Sequence, residues 1–127
     1  MVGLVLDNVS VSNVRNTTDS HGVLINAGTI KVEGASGLTV DNAQGHGIAL
    51  TGGTLTATKI NVTNAGRAGI SVASATVTIT TVEQITNGST VNGVSANVTI
   101  KNSTVTINGK AITEGSTTKY YELSSFK

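Results

Sequence analysis

Two histidines, His21 and His46, are the residues of this 127-residue chain whose type and spacing could do chemistry. Each directly precedes a glycine in a repeated segment, so we expect the two imidazoles to stack on adjacent layers of a repeat fold. Asp19 and Asp41 fall near the same edge. Together these side chains could form a metal site or an acid–base pair.

The alternative is that both histidines are solvated turn residues without a chemical role. The sequence of the following repeats favours this alternative. Their equivalent positions hold Ala68 and Asn92, so the histidine column is not sustained. The carboxylates are scattered over Asp7, Asp19, Glu33, Asp41, Glu83, Glu114 and Glu122. No nucleotide-binding or nucleophile-elbow motif is present. We therefore predict no metal, no cofactor and no enzymatic activity.

Composition excludes several classes of partner. Eight basic and seven acidic residues leave a net charge of +1, which favours neither nucleic acid nor an anionic membrane surface. No apolar run approaches the ~18 residues of a transmembrane helix, so no direct membrane insertion is expected. Aromatic residues make up 2% of the chain and cysteine is absent, so neither a wide core nor disulfides are expected. Val, Ile, Leu and Thr suit short strands around a narrow interior.

Short alternating runs recur along the whole chain, and they must position any functional residue. In Thr54–Val72 the apolar pairs are Leu55/Ala57, Ile60/Val62 and Ile70/Val72. Each pair has the two-residue period of a half-buried strand. Similar units recur from residue 4 to residue 112 and predict a parallel β-solenoid.

An asparagine follows the second run of each unit, and a glycine precedes the third run. Asn tolerates the left-handed backbone region and its amide can bond its counterpart on the next coil, so we predict a structural ladder. The glycines are expected at turns that require positive φ. The predicted ladder is Asn13, Asn42, Asn64, Asn87 and Asn108, and the predicted turn glycines are Gly22, Gly47, Gly69 and Gly93.

The predicted fold is all-β, a single-stranded right-handed parallel β-helix of about five coils of 21–29 residues. The helix is assigned to residues 1–115, and residues 116–127 form a capping or interaction tail. The variable coil length favours the right-handed form. Because an open last coil needs covering, we predict a C-terminal cap. Its residues are Tyr120, Tyr121, Leu123 and Phe126.

Outward positions carry two further features. Residues 15–20 and 34–37 are candidate protruding loops. Threonines at positions 54, 56, 58, 76, 78 and 80 would lie side by side on adjacent coils, with Thr99 continuing the central file. Flat threonine arrays on solenoids can bind ice, but Val5 and Lys31 share the file and limit the array to two coils. Exposed strand threonines also simply stabilise sheets.

The segment GHGIALTGGTLTATKINVTNAGRAGISVASATVTI, residues 45–79, resembles the β-helical passenger repeats of bacterial autotransporter adhesins of the pertactin type. The resemblance covers most of residues 4–107. It implies a right-handed parallel β-helix, export to the bacterial cell surface and a role as adhesin or stalk. No signal peptide or membrane barrel is recognisable, so we expect a segment of a longer exported precursor.

The leading functional expectation is a non-catalytic extracellular surface scaffold that displays loops to a host receptor, a glycan or another protein. One alternative is a fibre subunit that associates end to end, with the Leu4/Leu6 coil docking on a neighbour's C-terminal end. A carbohydrate-binding or carbohydrate-cleaving β-helix is the third.

Overall fold

The computed structural model describes residues 3–87, 90–91 and 94–127, and of residues 90, 91, 94 and 95 the backbone alone. The regular secondary structure of the described residues is all strand apart from one short 3₁₀ helix near the C-terminus. The strands are β1 (Gly3–Ser12), β2 (Val23–Ile25), β3 (Thr29–Asp41), β4 (Ile48–Leu50), β5 (Thr54–Ala65), β6 (Ile70–Ala73), β7 (Thr76–Asn87), β8 (Thr90–Val91), β9 (Val94–Ser95), β10 (Val98–Lys101), β11 (Ser103–Ile107), β12 (Lys110–Glu114) and β13 (Lys119–Tyr121), and η1 (Leu123–Phe126) is the 3₁₀ helix.

Two sheets run along the molecule and are built mainly from parallel strands of successive coils. The first has the order β1-β3-β5-β7-β11-β12, and the second has the order β13-β10-β6-β4-β2. Each coil contributes one long strand to the first sheet and one short strand to the second. The protein is therefore a parallel β-solenoid, as the repeats predict.

Each long strand turns a corner where the alternation of buried and exposed residues changes phase. In β5, Leu55 and Ala57 are buried, and the next buried residues are Ile60 and Val62. Two consecutive residues that face away from the core, Thr58 and Lys59, separate the pairs. Since a strand alternates strictly with period two, this phase change moves the second pair onto a new wall of the same interior.

In-register pairing stacks the buried side chains into continuous columns. At the strand spacing of about 4.8 Å, each branched side chain packs against its counterpart one coil above and below. The columns are Ile30, Leu55, Val77 and Val105; Val32, Ala57, Ile79 and Ile107; Leu38, Ile60 and Val82; Val40, Val62 and Ile85; Ile48, Ile70 and Val98; and Leu50, Val72 and Ile100.

The solenoid has about four turns rather than the predicted five. Val98 and Ile100 pair with Ile70 and Val72, so they complete the fourth coil instead of beginning a fifth. The next strand, β11, pairs with the first half of β7 and starts a fifth coil that is not completed. The period-two pattern looks the same in every run, so it could not assign these runs to their coils.

The chain reverses direction directly after β11. Asn108 and Gly109 both have positive φ, at 55° and 81°. They form a two-residue connection, and β12 then pairs antiparallel with β11. The Asn-Gly dipeptide is a strong hairpin signal because both positions tolerate the left-handed region. Asn108 therefore sits at a hairpin and not at the fifth rung of a ladder.

The side chain of Asn108 occupies the edge that the incomplete fifth coil leaves open. Its Oδ1 accepts a hydrogen bond from Val82 N at 2.9 Å, and its Nδ2 donates to Val82 O at 3.3 Å. One amide thus satisfies both backbone groups of Val82, as a stacked strand would.

The C-terminal tail forms the last strand of the second sheet. Strand β13 pairs antiparallel with β10, and the Tyr121 hydroxyl donates a hydrogen bond to the Glu114 carboxylate of β12. Phe126 is fully buried and Leu123 is 8% exposed, and both belong to the main core. The Tyr121 and Phe126 rings meet edge to face at 6.1 Å, and Tyr120 is half-buried. The role of these four residues as a stabilising cap stays a prediction.

A small two-stranded sheet lies between β7 and β10 in the sequence, where the repeats predict a turn glycine followed by the third run of the fourth unit, Val94/Ala96. Its strands β8 and β9 pair antiparallel. The dipeptide Asn92-Gly93 separates them in sequence and is again a hairpin signal. Gly93, predicted as a turn glycine, lies outside the described residues.

The first coil is the least buried part of the described solenoid. Leu4, Val5 and Leu24 are 51%, 57% and 53% exposed. No strand pairs with the outer edge of β1 or β2 among the described residues. This end presents apolar side chains and strand edges together.

The turn glycines Gly22, Gly47 and Gly69 have a different cause from the predicted one. Positive φ occurs at other glycines, such as Gly28 and Gly53, and not at these three. Space is the constraint. A Cβ on Gly47 would lie 2.5 Å from Val62 Cγ1 and 2.7 Å from Gly69 O, and Gly22 and Gly69 are crowded in the same way.

Asn97 holds the equivalent position in the fourth coil. Its carbonyl accepts the Ile70 N–H at 3.0 Å, as Gly69 O accepts from Ile48 at 2.9 Å. A side chain fits here because the fifth coil supplies no second run above it. The Asn97 Oδ1 instead accepts a hydrogen bond from Leu123 N at 2.6 Å and connects the last coil to the tail.

We predict that Gly47→Ala lowers the free energy of unfolding by about 1–3 kcal/mol, the usual range for overpacking. The new methyl group would overlap Val62 and the next coil's backbone. Urea unfolding followed by circular dichroism measures the change. Gly115→Ala is the matched control, because a Cβ there meets no atom within 4 Å. Equal stability of the two variants would contradict the steric role of Gly47.

Candidate functional site

His21 and His46 stack as the repeat predicts. Their ring centroids are 5.0 Å apart and the ring planes differ by 20°. His46 is 8% exposed, so it is a buried residue and not the solvated turn residue that its position in a turn suggests. Ala68 takes the next place in the column, and its N–H bonds to His46 Nδ1.

Each imidazole caps a backbone group of the next coil. His21 Nδ1 accepts the N–H of His46 at 3.0 Å, and His46 Nδ1 accepts the N–H of Ala68 at 3.1 Å. A ring nitrogen that accepts a hydrogen bond carries no proton, so both rings are neutral with the proton on Nε2. The histidines therefore continue the hydrogen-bond ladder through a turn.

The surroundings hold both rings in the neutral form. Burial lowers the pKa of His46 to about 4, and the positive charge of Arg67 and the neighbouring ring act in the same direction. Burial also lowers the pKa of His21, against the opposing effect of Asp19. An imidazolium at position 46 would lose its acceptor and place a positive charge in a buried turn beside Arg67.

The hydrogen bonds of the two histidines also disfavour a metal site at this position. Coordination needs an unprotonated ring nitrogen, and the two Nδ1 lone pairs already accept backbone N–H groups. Within residues 3–87, 90–91 and 94–127 no group of three or more His, Cys, Asp or Glu residues is placed to hold a metal ion. Both histidines thus use Nδ1 in hydrogen bonds between coils.

The first loop, residues 15–20, stands beside this column and is braced across coils. Arg15 Nη1 donates to Asn42 Oδ1 at 2.8 Å on the second coil. Asp19 pairs with Arg67 of the third coil at 3.5 Å. Within the loop, Thr17 N donates to Ser20 Oγ at 3.0 Å. The polar side chains of residues 15–19 are nevertheless exposed to solvent, and Ser20 is half-buried.

The second candidate loop, residues 34–37, is a bulge inside β3 and not a separate loop. Gly34 and Gly37 have φ of 94° and 58°. Ser36 N donates to Asn8 Oδ1 at 3.0 Å, and Thr58 Oγ1 donates to Gly34 O at 2.9 Å, so both neighbouring coils hold the segment. The extra residues are absorbed by a wide bend, and little chain protrudes.

Three of the predicted ladder asparagines share one column. Asn13, Asn42 and Asn64 have φ of 59°, 62° and 55°, the left-handed region expected of them. Asn42 Nδ2 donates to Asn13 Oδ1 at 2.9 Å. Asn64 Nδ2 donates instead to Asp41 Oδ1 at 3.1 Å, so a carboxylate takes part in the ladder. Hydrogen bonds to Thr63 and Asn64 lower the pKa of Asp41.

The other two asparagines lie outside this column. Asn87 pairs with Ala65, one residue beyond the position of Asn64, because a bulge in β7 shifts the register. Its Oδ1 accepts a hydrogen bond from Asn97 Nδ2 at 2.9 Å. Asn108 lies at the hairpin after β11. Asparagines that are evenly spaced in the sequence therefore do not all occupy equivalent positions in their coils.

The outward threonines also differ from the prediction. Thr99 belongs to the second sheet, where it is buried and donates to Ser71 Oγ at 3.0 Å. The column of Thr56 and Thr78 is continued instead by Thr106 of β11. The threonine face therefore extends over one more strand than expected.

The fold and this arrangement of turns, loops and faces define the class of the protein as a parallel β-solenoid. Searches against protein families, curated proteins and solved structures found no match for the chain. The resemblance of residues 45–79 to autotransporter passenger repeats therefore stays an expectation that rests on those residues. In the described part of the chain, no helix has the length and apolar character needed to span a membrane.

We predict that His46 makes the protein less stable as the pH falls from about 6.5 to 4. Its pKa is about 4 in the folded state against the ordinary 6.5 of an unfolded chain, so the unfolded chain binds the extra proton in this window. The stabilisation is complete above pH 6.5 and lost below pH 4. With allowance for solvent screening, we expect a loss on the order of 2 kcal/mol.

Thermal unfolding of the wild type and His46→Asn at about pH 7, 5.5 and 4 measures this effect. Asparagine offers an uncharged acceptor for Ala68 N–H and does not titrate. The difference between the two melting temperatures should shrink or reverse at low pH. Parallel curves for both proteins would show that the His46 proton is not linked to folding.

Proposed function

We propose that the chain is a non-catalytic extracellular scaffold, a segment of an adhesin-type β-helix on a bacterial cell surface. Its stacked coils would hold recognition loops in a fixed arrangement. The proposed partner is a host receptor, a glycan or another protein with a polar surface.

The bracing of residues 15–20 is the observation that carries this proposal. The loop makes side-chain contacts to the second coil through Arg15 and to the third coil through Asp19. Its backbone joins in, because Gly45 N donates to Ser20 O at 2.9 Å. A loop ordered before binding loses less conformational entropy on contact, which favours a recognition role.

The chemistry of the loop suits a polar partner. Asn16, Thr17 and Thr18 are exposed and offer amide and hydroxyl groups, and no large apolar side chain accompanies them. Such groups form hydrogen bonds with sugar hydroxyls or with a polar protein surface. A weak contact of this kind gains strength when many copies lie on one cell surface.

We predict that beads coated with the protein adhere to cultured host cells or to an array of glycans. Replacement of residues 15–20 by a Gly-Ser segment of equal length should reduce adhesion to the level of bare beads, since it removes every loop side chain. Adhesion is counted by microscopy after washing at physiological salt.

The control is a variant with Ser116→Gly and Thr117→Gly, which changes an exposed stretch of the tail. It should adhere like the wild type. Circular dichroism of both variants separates loss of binding from loss of folding. If the wild type does not adhere, or if the loop variant adheres equally well, the proposal is wrong.

The exposed first coil favours a second candidate, self-association into fibres or dimers. Leu4, Val5 and Leu24 are more than half exposed and border the open edges of β1 and β2. At the opposite end, the outermost strands of the two sheets are the antiparallel strands β12 and β13. Contact between two first coils thus requires less rearrangement than the head-to-tail contact expected from the sequence.

Sedimentation velocity over a range of concentrations tests this candidate. We predict concentration-dependent association of the wild type and a monomeric double variant Val5→Lys/Leu24→Lys, because lysine on an edge disfavours strand addition. Gln84→Lys, at an exposed position of β7, is the control and should associate normally. A wild type that stays monomeric at the highest concentration excludes self-association by this end.

A further inference from the structure

The first sheet carries a regular array of threonines on its outer face. Strands β5, β7 and β11 each present threonines at alternate positions, and the pairing aligns them from coil to coil. We name this face the threonine grid. Its members are Thr54, Thr56 and Thr58 on β5, Thr76, Thr78 and Thr80 on β7, and Thr104 and Thr106 on β11.

The backbone sets the spacing of the grid in both directions. Neighbouring strands lie about 4.8 Å apart, and alternate residues along one strand are separated by about 6.6 Å. Threonine is branched at Cβ and holds few χ1 rotamers, so its hydroxyl and methyl groups repeat with the backbone. The grid is a two-dimensional lattice of hydroxyl and methyl groups on a rigid support.

Most of these hydroxyls are available to an external partner. Thr58 donates to Gly34 O, and Thr104 shares a hydrogen bond with Thr113 of β12. The other six form no hydrogen bond to any residue that the structure describes. Each can donate one hydrogen bond and accept two. A partner whose own hydrogen-bonding groups are regularly spaced could bind to several of these free hydroxyls at once.

The composition of the grid disfavours other classes of partner. It contains no charged residue for an ionic ligand and no aromatic ring for stacking against a sugar. Lys31 and Glu33 lie beside it on β3, where Lys31 is paired with Thr56, and their side chains pair with each other at 3.0 Å. A protein partner would also find little apolar area here. A lattice of water molecules needs only hydroxyls and methyl groups at constant spacing.

We propose that the threonine grid binds the surface of ice. The hydroxyls bond to water molecules of the lattice, and the methyl groups occupy the spaces between them. The third row, Thr104 and Thr106, makes the face wide enough to hold a patch of lattice in two dimensions. This binding is independent of the proposed adhesive loop, which lies beside the histidine column.

Ice-recrystallisation inhibition and thermal hysteresis of the purified chain test the proposal. We expect the wild type to slow recrystallisation and to shape growing ice crystals. Thr56→Lys/Thr78→Lys should abolish both effects, since two long charged side chains in the middle of the grid keep the surface away from ice. Thr78→Val, which keeps the γ-methyl group and replaces the hydroxyl with a second methyl group, should reduce them.

Gln84→Lys/Ser124→Lys is the matched control. It adds the same two charges at exposed positions outside the grid and should keep full activity. Melting curves establish that all variants are folded. A folded wild type without effect on ice, or a grid variant with undiminished activity, overturns the proposal. Adsorption to crystalline cellulose or chitin without activity on ice would also overturn it and would assign the grid to a polysaccharide surface.

Discussion

In-register stacking of one coil on the next is the interaction on which the whole structure depends. A single coil of this chain has too few apolar residues to bury its own interior, because its strands contribute only two inward side chains per run. Stacking solves both problems of an isolated strand at once. It satisfies the backbone N–H and C=O groups, and it places Ile60 and Val62 against similar branched neighbours above and below.

The same constraint explains the residues that interrupt the pattern. A turn that stacks at strand spacing has no room for a side chain pointing at the next coil, so Gly22, Gly47 and Gly69 lack one. Where stacking ends, side chains replace the missing coil. Asn108 bonds both backbone groups of Val82, and Asn97 holds Leu123 of the tail. His21 and His46 act similarly inside the rod, since each accepts a backbone N–H of the next turn.

Because apolar side chains fill the interior, we look for function on the outer surface of the solenoid. The outer surface offers a braced polar loop at residues 15–20, an open first coil and a regular face of threonines. These three features use different physical properties of one frame: a loop held across coils, exposed apolar side chains on the first coil and constant spacing. Proposals built on them can therefore be tested one at a time, and a variant in one feature leaves the others intact.

The sequence by itself determined the fold class, since alternating Val, Ile and Leu runs at intervals of 21–29 residues fit only stacked short strands. It also indicated the histidine stack and the asparagine column at Asn13, Asn42 and Asn64. Only the tertiary structure decided the number of coils, the places of Asn87, Asn108 and Thr99, and the burial of His46. The physical reason is that a period of two is the same in every run. A bulge or hairpin shifts the register by contacts between distant residues, and those contacts exist only in the folded chain.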